Sequence, residues 1–345
     1  MIFCRCRSLC LNNLKLQSHI SSRYMSILSK TEAKKRRNEL FDEQKKIQRA
    51  AIGRIEKIEI KYQSPIEEVV LVMNKDISTP HDCAKHISEG IANVSALALV
   101  DGNPWDMHKP LTSNCNLELL SMLTPKISTV NYAFWRTCSF ILGAIADTAF
   151  KDDITVHLHS FPTPVIKSGS FVHDVFIDLH DWKPSEAELK AMSALFVKLI
   201  NSRLPVERLE TTENIAKEMF HENPFKFRQI PDIAAHSIDN KITLYRIGDH
   251  IDISKGPMIS NTNIIGRCTV AAIHKLMSDD DEIIYRFQGI AIPKGILLNH
   301  FAYSILEDRA KKLNDVMWQP QKNLEEDFIT SIITKVYHFS VLCYN

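Results

Sequence analysis

The chain has 345 residues, which leaves room for about two domains, and its 45% hydrophobic and 24% charged content is ordinary for a globular protein. The formal net charge of +1 excludes a polycation, so a surface for nucleic acid would have to be local. No apolar run approaches the roughly 18 residues of a membrane span, because Arg136 and Asp147 interrupt the longest candidate at residues 133–150.

Residues 1–30 have the composition that is typical of a mitochondrial transit peptide. They combine several serines with five basic residues and contain no Asp or Glu, and the first acidic residue of the chain is Glu32. The basic residues are Arg5, Arg7, Lys15, Arg23 and Lys30. We therefore expect the protein in the mitochondrial matrix; the alternative is a disordered basic tail on a cytosolic protein.

The next segment, residues 31–57, is predicted to be a basic helix. With Lys30 included it carries ten basic and five acidic side chains, and it contains no glycine before Gly53. Each Lys or Arg that contacts a phosphate releases counterions from RNA. The candidate RNA-binding residues are Lys34, Lys35, Arg36, Arg37, Lys45, Lys46 and Arg49. A solvated helix with internal ion pairs explains the same charges equally well, so both interpretations stay open.

A small α+β domain is predicted over residues 58–125. Thr79 is a plausible N-cap with Pro80 at the first helical position, and the helix is expected to run to about residue 93. Strands are predicted at 67–73, at 96–100 before the turn pair Asp101–Gly102, and at 117–120. The phrases VDGNPWDMHKPL and CNLELL, in this order, resemble the TGS module of threonyl-tRNA synthetases. That resemblance implies a ubiquitin-like β-grasp fold.

Two segments of the following region, residues 126–310, resemble the halves of the editing domain found in threonyl- and alanyl-tRNA synthetases. Residues 132–143 read YAFWRTCSFILG, within a helix predicted over 128–150, and residues 245–258 read YRIGDHIDISKGPM. The resemblance implies a second α+β domain. It also implies a site in which the first segment supplies two histidines four residues apart and the second supplies a Cys-x-x-x-His. The matching positions here are Arg136, Phe140, Ser254 and Met258.

These four residues cannot carry the proton transfers of the family's site. A guanidinium stays protonated and has no lone pair, and phenylalanine and methionine have no acid–base role. The Gly256–Pro257 turn is retained, and Asp252 could act as a general base for water. Because ester hydrolysis also needs its leaving oxygen and its oxyanion stabilised, we predict a degenerate editing site with no catalytic residues.

Together these segments resemble a family of mitochondrial large-ribosomal-subunit proteins, the family numbered thirty-nine. The phrases ELFDEQK, VMNKDISTP and ALVDGNPWDMHKPL carry that resemblance. It implies a structural component that contacts large-subunit rRNA and neighbouring ribosomal proteins, with no cofactor, metal or small-molecule substrate. The alternatives are a free-standing aminoacyl-tRNA trans-editing deacylase that uses Asp252, and a regulatory binder whose old pocket holds a ligand beside Arg136, Phe140 and Met258.

The remaining residues, 311–345, are predicted to be a C-terminal extension outside the resemblance. Within it, residues 327–341 have apolar side chains at helical spacing, from which no function follows. The sequence contains no glycine-rich phosphate loop or nucleotide fingerprint. We therefore expect no activation of amino acids.

Overall fold

The computed structural model describes residues 29–63, 68–124, 127–179, 181–277 and 282–318. The predicted transit peptide, apart from its last two residues, and most of the predicted C-terminal extension lie outside these ranges. Within them, no helix has both the length and the apolar character to cross a membrane. The domain boundaries given above stay predictions.

The described residues form helices and strands in an order that mixes the two throughout. The helices are α1 (Lys30–Ala51), α2 (Pro80–Ile87), α3 (Glu89–Val94), α4 (Ile127–Ala149), α5 (Glu186–Asn201), α6 (Glu213–Met219), α7 (Pro224–Ala235) and α8 (His300–Ala310). The strands are β1 (Lys57–Gln63), β2 (Glu68–Asn74), β3 (Ser95–Val100), β4 (Asn103–Trp105), β5 (Cys115–Ser121), β6 (Val156–Ser160), β7 (Phe171–Ile177), β8 (Glu207–Thr212), β9 (Lys241–Ile247), β10 (His250–Ile253), β11 (Ile265–Met277) and β12 (Ile283–Pro293).

The first sheet has the strand order β2-β1-β5-β3-β4. The pair β1 and β5 is parallel, and the other pairs are antiparallel. α2 and α3 contribute Cys83, Ala84 and Ala92 to the core of this sheet, where they are buried together with Ile60 and Leu117. This mixed sheet with its covering helices is the β-grasp arrangement, so the α+β prediction is confirmed.

The prediction of one continuous helix from Pro80 to about residue 93 is wrong in one respect, because the helix is interrupted at Ser88. Ser88 has an extended backbone (φ −168°, ψ 140°), and its hydroxyl accepts a hydrogen bond from the Gly90 amide at the start of α3. Serine favours caps over helix interiors, and glycine weakens a helix, so the chain starts a second helix here. The N-cap at Thr79 is confirmed, since its hydroxyl accepts from the Asp82 amide.

Two further sheets follow, with the orders β11-β12-β7-β6 and β10-β9-β8, and every pair within them is antiparallel. α4 packs against β7 and β12 of the larger sheet. It is apolar round most of its circumference, as a helix covered on both sides must be. Phe134 and Ile141 of α4 share one core with Leu97 and Leu120 of the first sheet. α4 therefore joins the cores of the two regions.

α1 packs against β8, β10 and α6, and one aromatic residue fixes it there. Ser29 and Glu32 form a capping box at its start. Phe41 is fully buried in a cluster that includes Leu244 of β9. The Arg246 guanidinium lies 4.4 Å from the centroid of the Phe41 ring, a cation–π distance. α1 is therefore a docked part of the fold.

A buried ion pair crosses the larger sheet and holds the chain after α8. Arg286 of β12 and Asp174 of β7 lie opposite each other, and both guanidinium–carboxylate contacts measure 2.7 Å. The Arg286 guanidinium also donates to the backbone carbonyl of Asn314. The side-chain amide of Asn314 in turn donates to the Ser170 carbonyl at 2.9 Å. The bidentate pair thus fixes both the strand register and the segment that follows α8.

We expect Arg286→Met to lower the free energy of unfolding by about 3–5 kcal/mol, because it leaves the Asp174 carboxylate buried without its partner. Urea denaturation measures the change. Lys311→Met is the matched control: it breaks an exposed pair with Asp308 and should change stability by no more than about 1 kcal/mol. Equal losses in the two variants would contradict the role given to the buried pair.

Candidate functional site

The structure brings the two segments of the predicted degenerate site together. Arg136 lies on α4, and its Nη1 donates a hydrogen bond of 3.2 Å to the carbonyl of Pro257 in the loop after β10. Thr137, the next residue of α4, accepts from the Ile259 amide at 3.1 Å. α4 thus holds the backbone of the turn that carries Met258.

The turn at Gly256 is held from a second side by Tyr245 of β9. Gly256 has φ +69°, and a Cβ placed on it would meet the Tyr245 hydroxyl at 1.8 Å. Only glycine adopts this backbone at low cost and leaves that space free. The Tyr245 hydroxyl donates to Asp106 Oδ2 at 2.8 Å, and the Met258 amide donates to Asp106 Oδ1 at 2.8 Å. A carboxylate from the β-grasp region therefore fixes the turn.

The other three positions of the degenerate site are used for packing. Phe140 and Met258 are buried, and the Phe140 ring meets the His250 ring edge-on at 4.8 Å between centroids. The Ser254 hydroxyl accepts a hydrogen bond from the Gly256 amide at 3.4 Å. These side chains fill the space between α4 and the turn and form no acid–base pair.

A polar cluster that the sequence analysis missed surrounds Asp252. Lys226 of α7 lies 2.6 Å from Asp252 Oδ1, and His173 Nε2 of β7 lies 3.9 Å from Asp252 Oδ2. Both partners are buried, as is His250 two residues before Asp252. His173 stands in the segment SFVHD and Lys226 follows the segment NPF, but neither position indicates in the sequence that the two meet at Asp252.

Burial and ion pairing determine which groups of this cluster carry a charge. Burial acts to raise the pKa of Asp252, but Lys226 first and then His173 oppose it, so the pKa lies below its ordinary value. Burial lowers the pKa of His173 to about 4 and that of His250 well below its ordinary value. At neutral pH the cluster is therefore a Lys–carboxylate ion pair beside two neutral imidazoles.

The close approach of His173 to α4 depends on a glycine. A Cβ on Gly143 would lie 2.5 Å from Cε1 of the His173 ring. His173 Nδ1 lies 2.9 Å from the Ser139 carbonyl, so this nitrogen is the donor and Nε2 carries the lone pair that faces Asp252. A neutral imidazole in this tautomer matches the direction of its pKa shift.

Two of the predicted RNA-binding residues turn inward and dock α1. Lys34 lies 2.9 Å from Asp249 and 3.7 Å from Asp147. Arg37 is paired with Glu222, and burial is the main cause that lowers its pKa. Both side chains are therefore occupied in contacts with the body of the protein.

The other five predicted RNA-binding residues divide into paired and unpaired ones. The paired ones are Arg36 with Glu218 at 3.0 Å, Lys45 with Glu207 at 3.7 Å, and Lys35 with Glu39 at 3.9 Å. Lys46 and Arg49 are exposed and form no ion pair with the rest of the described chain. RNA binding by any of these residues stays a prediction.

Comparisons with known proteins agree with this architecture. A model of the TGS domain family matches residues 70–121, from within β2 to the end of β5. The Drosophila melanogaster large ribosomal subunit protein mL39 is 49% identical over 279 residues, which cover 80% of this chain and 84% of the fly protein.

The chain belongs to the mL39 family. Threonine–tRNA ligases are more distant from this mL39-family chain. The Arabidopsis thaliana ligase named mitochondrial 1 is 31% identical over 248 residues, which cover 71% of this chain and 33% of the ligase. The human cytoplasmic ligase 2 is 31% identical over 222 residues, which cover 63% of this chain and 25% of the ligase. The mL39-family chain thus spans a third or less of these ligases.

We expect the free energy of unfolding to fall as the pH is lowered from about 6.5 towards about 4. In that window the unfolded chain binds a proton at His173, whose folded pKa is depressed to about 4, and the folded chain does not, so acid favours the unfolded state. Removing this proton with His173→Asn should reduce the slope of stability against pH by about 1.4 kcal/mol per pH unit.

Chemical denaturation over a pH series measures this slope in the mL39-family chain. The comparison uses slopes, so a uniform loss of stability in the variant does not matter. His300→Asn, at an exposed position, is the control. An unchanged slope in His173→Asn would show that this imidazole is not excluded from protonation in the folded state.

Proposed function

We propose that the protein is a non-catalytic structural component of the mitochondrial large ribosomal subunit, where it contacts rRNA and neighbouring ribosomal proteins. Its 49% identity to a large ribosomal subunit protein over most of both chains carries this proposal. The composition of residues 1–30, basic and without acidic residues, supports the mitochondrial location.

The arrangement around Asp252 supports the absence of catalysis. A general base needs a reactive proton within hydrogen-bond reach. Asp252 is fully buried, and its Oδ1 is occupied by Lys226 at 2.6 Å. Arg136 is bound to the Pro257 carbonyl, and Phe140 and Met258 occupy the remaining space. A substrate ester would have to displace packed side chains before it could reach the carboxylate.

The geometry of α1 narrows the proposed RNA contact to its C-terminal end. Of the seven predicted residues, Lys46 and Arg49 are the two that are both exposed and free of ion pairs with other described residues. Arg54, just after the helix, is also exposed. Such side chains neutralise phosphates without reading bases, which gives salt-sensitive binding.

Sedimentation of a mitochondrial lysate tests the proposed assembly. We expect the protein to travel with the large subunit and to be released by salt. Combined Lys46→Glu and Arg49→Glu substitution should lower the salt concentration needed for release, because like charges then face the phosphate backbone.

The matched control for this experiment is Lys35→Glu, on the same helix but paired with Glu39. It should be released at the salt concentration of the unaltered protein. Recovery of the unaltered protein only in soluble fractions would overturn the ribosomal role. Normal release of the double variant, with the large-subunit association intact, would place the RNA contact elsewhere.

A deacylation assay tests the proposed lack of catalysis separately. Purified protein incubated with mischarged threonine-type tRNA should release no amino acid above the uncatalysed rate, because Asp252 is paired and enclosed. Asp252→Asn serves as the control, because it removes the carboxylate that could act as a general base. Release that disappears in this variant, while its circular dichroism stays that of the unaltered protein, would instead establish the trans-editing alternative.

A further inference from the structure

Three buried polar atoms around Asp252 have no hydrogen-bond partner among the described residues. They are Nε2 of His173, Nε2 of His250 and Oδ2 of Asp252. The three residues are 0%, 3% and 0% exposed, so these atoms do not reach bulk solvent. Buried polar groups in folded proteins are nearly always hydrogen-bonded, because leaving one without a partner costs free energy. We call these atoms the three unpaired atoms.

The two oxygens of Asp252 differ in their surroundings. Oδ1 lies 2.6 Å from the Lys226 ammonium and accepts a hydrogen bond from the Ile253 amide at 2.7 Å. Oδ2 lies 3.9 Å from His173 Nε2, which is longer than a hydrogen bond. An ionised carboxylate accepts hydrogen bonds at both of its oxygens. One half of this carboxylate therefore still lacks a donor.

His173 is not that donor. Its Nδ1 lies 2.9 Å from the Ser139 carbonyl, so Nδ1 carries the proton of the neutral ring. A neutral imidazole has one donor and one acceptor, so Nε2 of this ring is an acceptor. Two acceptors, His173 Nε2 and Asp252 Oδ2, thus face each other at 3.9 Å. A group that satisfies both of them must supply two protons.

His250 is directed to the same place. It stands two residues before Asp252 on β10, and side chains at that spacing in a strand lie on the same face. Its ring meets the Phe140 ring of α4 at 4.8 Å between centroids. Ser139, the residue of α4 next to Phe140, holds the His173 ring. α4 therefore brings both imidazoles to the side of β10 on which the Asp252 carboxylate lies.

We propose that one water molecule is bound between the three unpaired atoms. It donates one proton to His173 Nε2 and the other to Asp252 Oδ2, and its oxygen accepts from the Nε2–H of His250. A water oxygen at about 2.8 Å from each acceptor fits their separation of 3.9 Å. Buried waters ordinarily make about three hydrogen bonds. This arrangement gives each of the three atoms a partner of the kind it needs.

Water fits the charges of this cluster better than an ion does. The Lys226 ammonium already neutralises the Asp252 carboxylate. A cation would add a second buried positive charge beside Lys226, and an anion would face the carboxylate, and either costs free energy away from solvent. In the part of the chain that the structure describes, no group of three or more His, Cys, Asp or Glu side chains is arranged to hold a metal ion.

The proposed water completes the hydrogen bonding of Asp252. It occupies Oδ2 as Lys226 and the Ile253 amide occupy Oδ1. Both of its protons point to acceptors and its oxygen points to His250, so it is held as part of the packing between β7 and β10. Such a water is a structural element and not a nucleophile. The inference concerns the fold and holds independently of the ribosomal role.

A crystal structure of the full chain, at a resolution that shows ordered waters, tests the site directly. We expect a density peak within about 2.6–3.2 Å of all three unpaired atoms. Absence of the peak would overturn the proposal. A direct contact of His173 Nε2 with Asp252 Oδ2 at hydrogen-bond distance would also overturn it, since the imidazole would then be protonated. A peak with contacts clearly shorter than hydrogen bonds would assign the site to a cation instead.

A matched pair of variants tests the role of His173. His173→Phe keeps an aromatic ring but removes Nε2, and we expect the density peak to be lost. His157→Phe makes the same substitution at a half-buried histidine of β6, and the peak should remain. The contact of Lys226 with Asp252 checks that the cluster is otherwise intact. A peak that persists in His173→Phe would contradict the arrangement.

The positions of the imidazole protons give a second measurement, in solution. Nitrogen-15 NMR of the histidine rings at neutral pH should place the proton of His173 on Nδ1 and that of His250 on Nε2. Loss of one set of signals in His173→Phe identifies the His173 ring. A proton on Nδ1 of His250 would remove the donor assigned to this ring and would overturn the proposed geometry.

Discussion

The contact between the β-grasp region and the region that follows it depends on the carboxylate of Asp106. Asp106 follows β4 of the β-grasp sheet directly. Its carboxylate accepts hydrogen bonds from the Tyr245 hydroxyl and the Met258 amide, both at 2.8 Å. Arg208 Nε lies 3.2 Å from it as an ion pair. An ionised carboxylate accepts several bonds at once. Without it, two buried donors would lose their partner together, which is far costlier than losing one exposed bond, while Arg208 would keep its pair with Glu210 at 2.7 Å.

The same carboxylate gives a packing reason for the turn at Gly256, which the sequence resemblance assigned to a degenerate editing site. Asp106 and Tyr245 both need the turn at Gly256 in its present shape, because the Tyr245 hydroxyl occupies the space beside Gly256. Arg136 of α4 adds a hydrogen bond to the Pro257 carbonyl. The turn is therefore required for packing between regions, whether or not any substrate ever reaches it.

Much of this arrangement follows from local patterns in the sequence. The apolar helix predicted over 128–150 is α4, Ile127–Ala149, and the strand predicted over 96–100 is β3, Ser95–Val100. Thr79 caps its helix as its type and spacing predicted. The convergence of residues 136 and 258 came from resemblance to a family. Periodicity alone does not place two segments more than a hundred residues apart in contact.

The long-range ion pairs could not be predicted from the sequence, for a physical reason. The positive charge of α1 predicts contacts with anions, but a lysine can form an ion pair with a phosphate or with a carboxylate. Only the folded chain reveals that Lys34 meets Asp249 and that Arg37 meets Glu222. The ion pair of Lys226 with Asp252 was hidden in the same way, since each residue is ordinary within its own element.

The docking of α1 also constrains the order in which the chain acquires its structure. α1 stands near the start of the chain, yet its partners Asp147, Glu207 and Asp249 follow it by more than a hundred residues. During synthesis from the N-terminus, Phe41 and the basic side chains of α1 emerge long before any of the surfaces that cover them. Contacts of such sequence separation close slowly. Among the described helices, the first to be made thus cannot dock until residues 147–249 have followed it, and until then its basic side chains are without these partners.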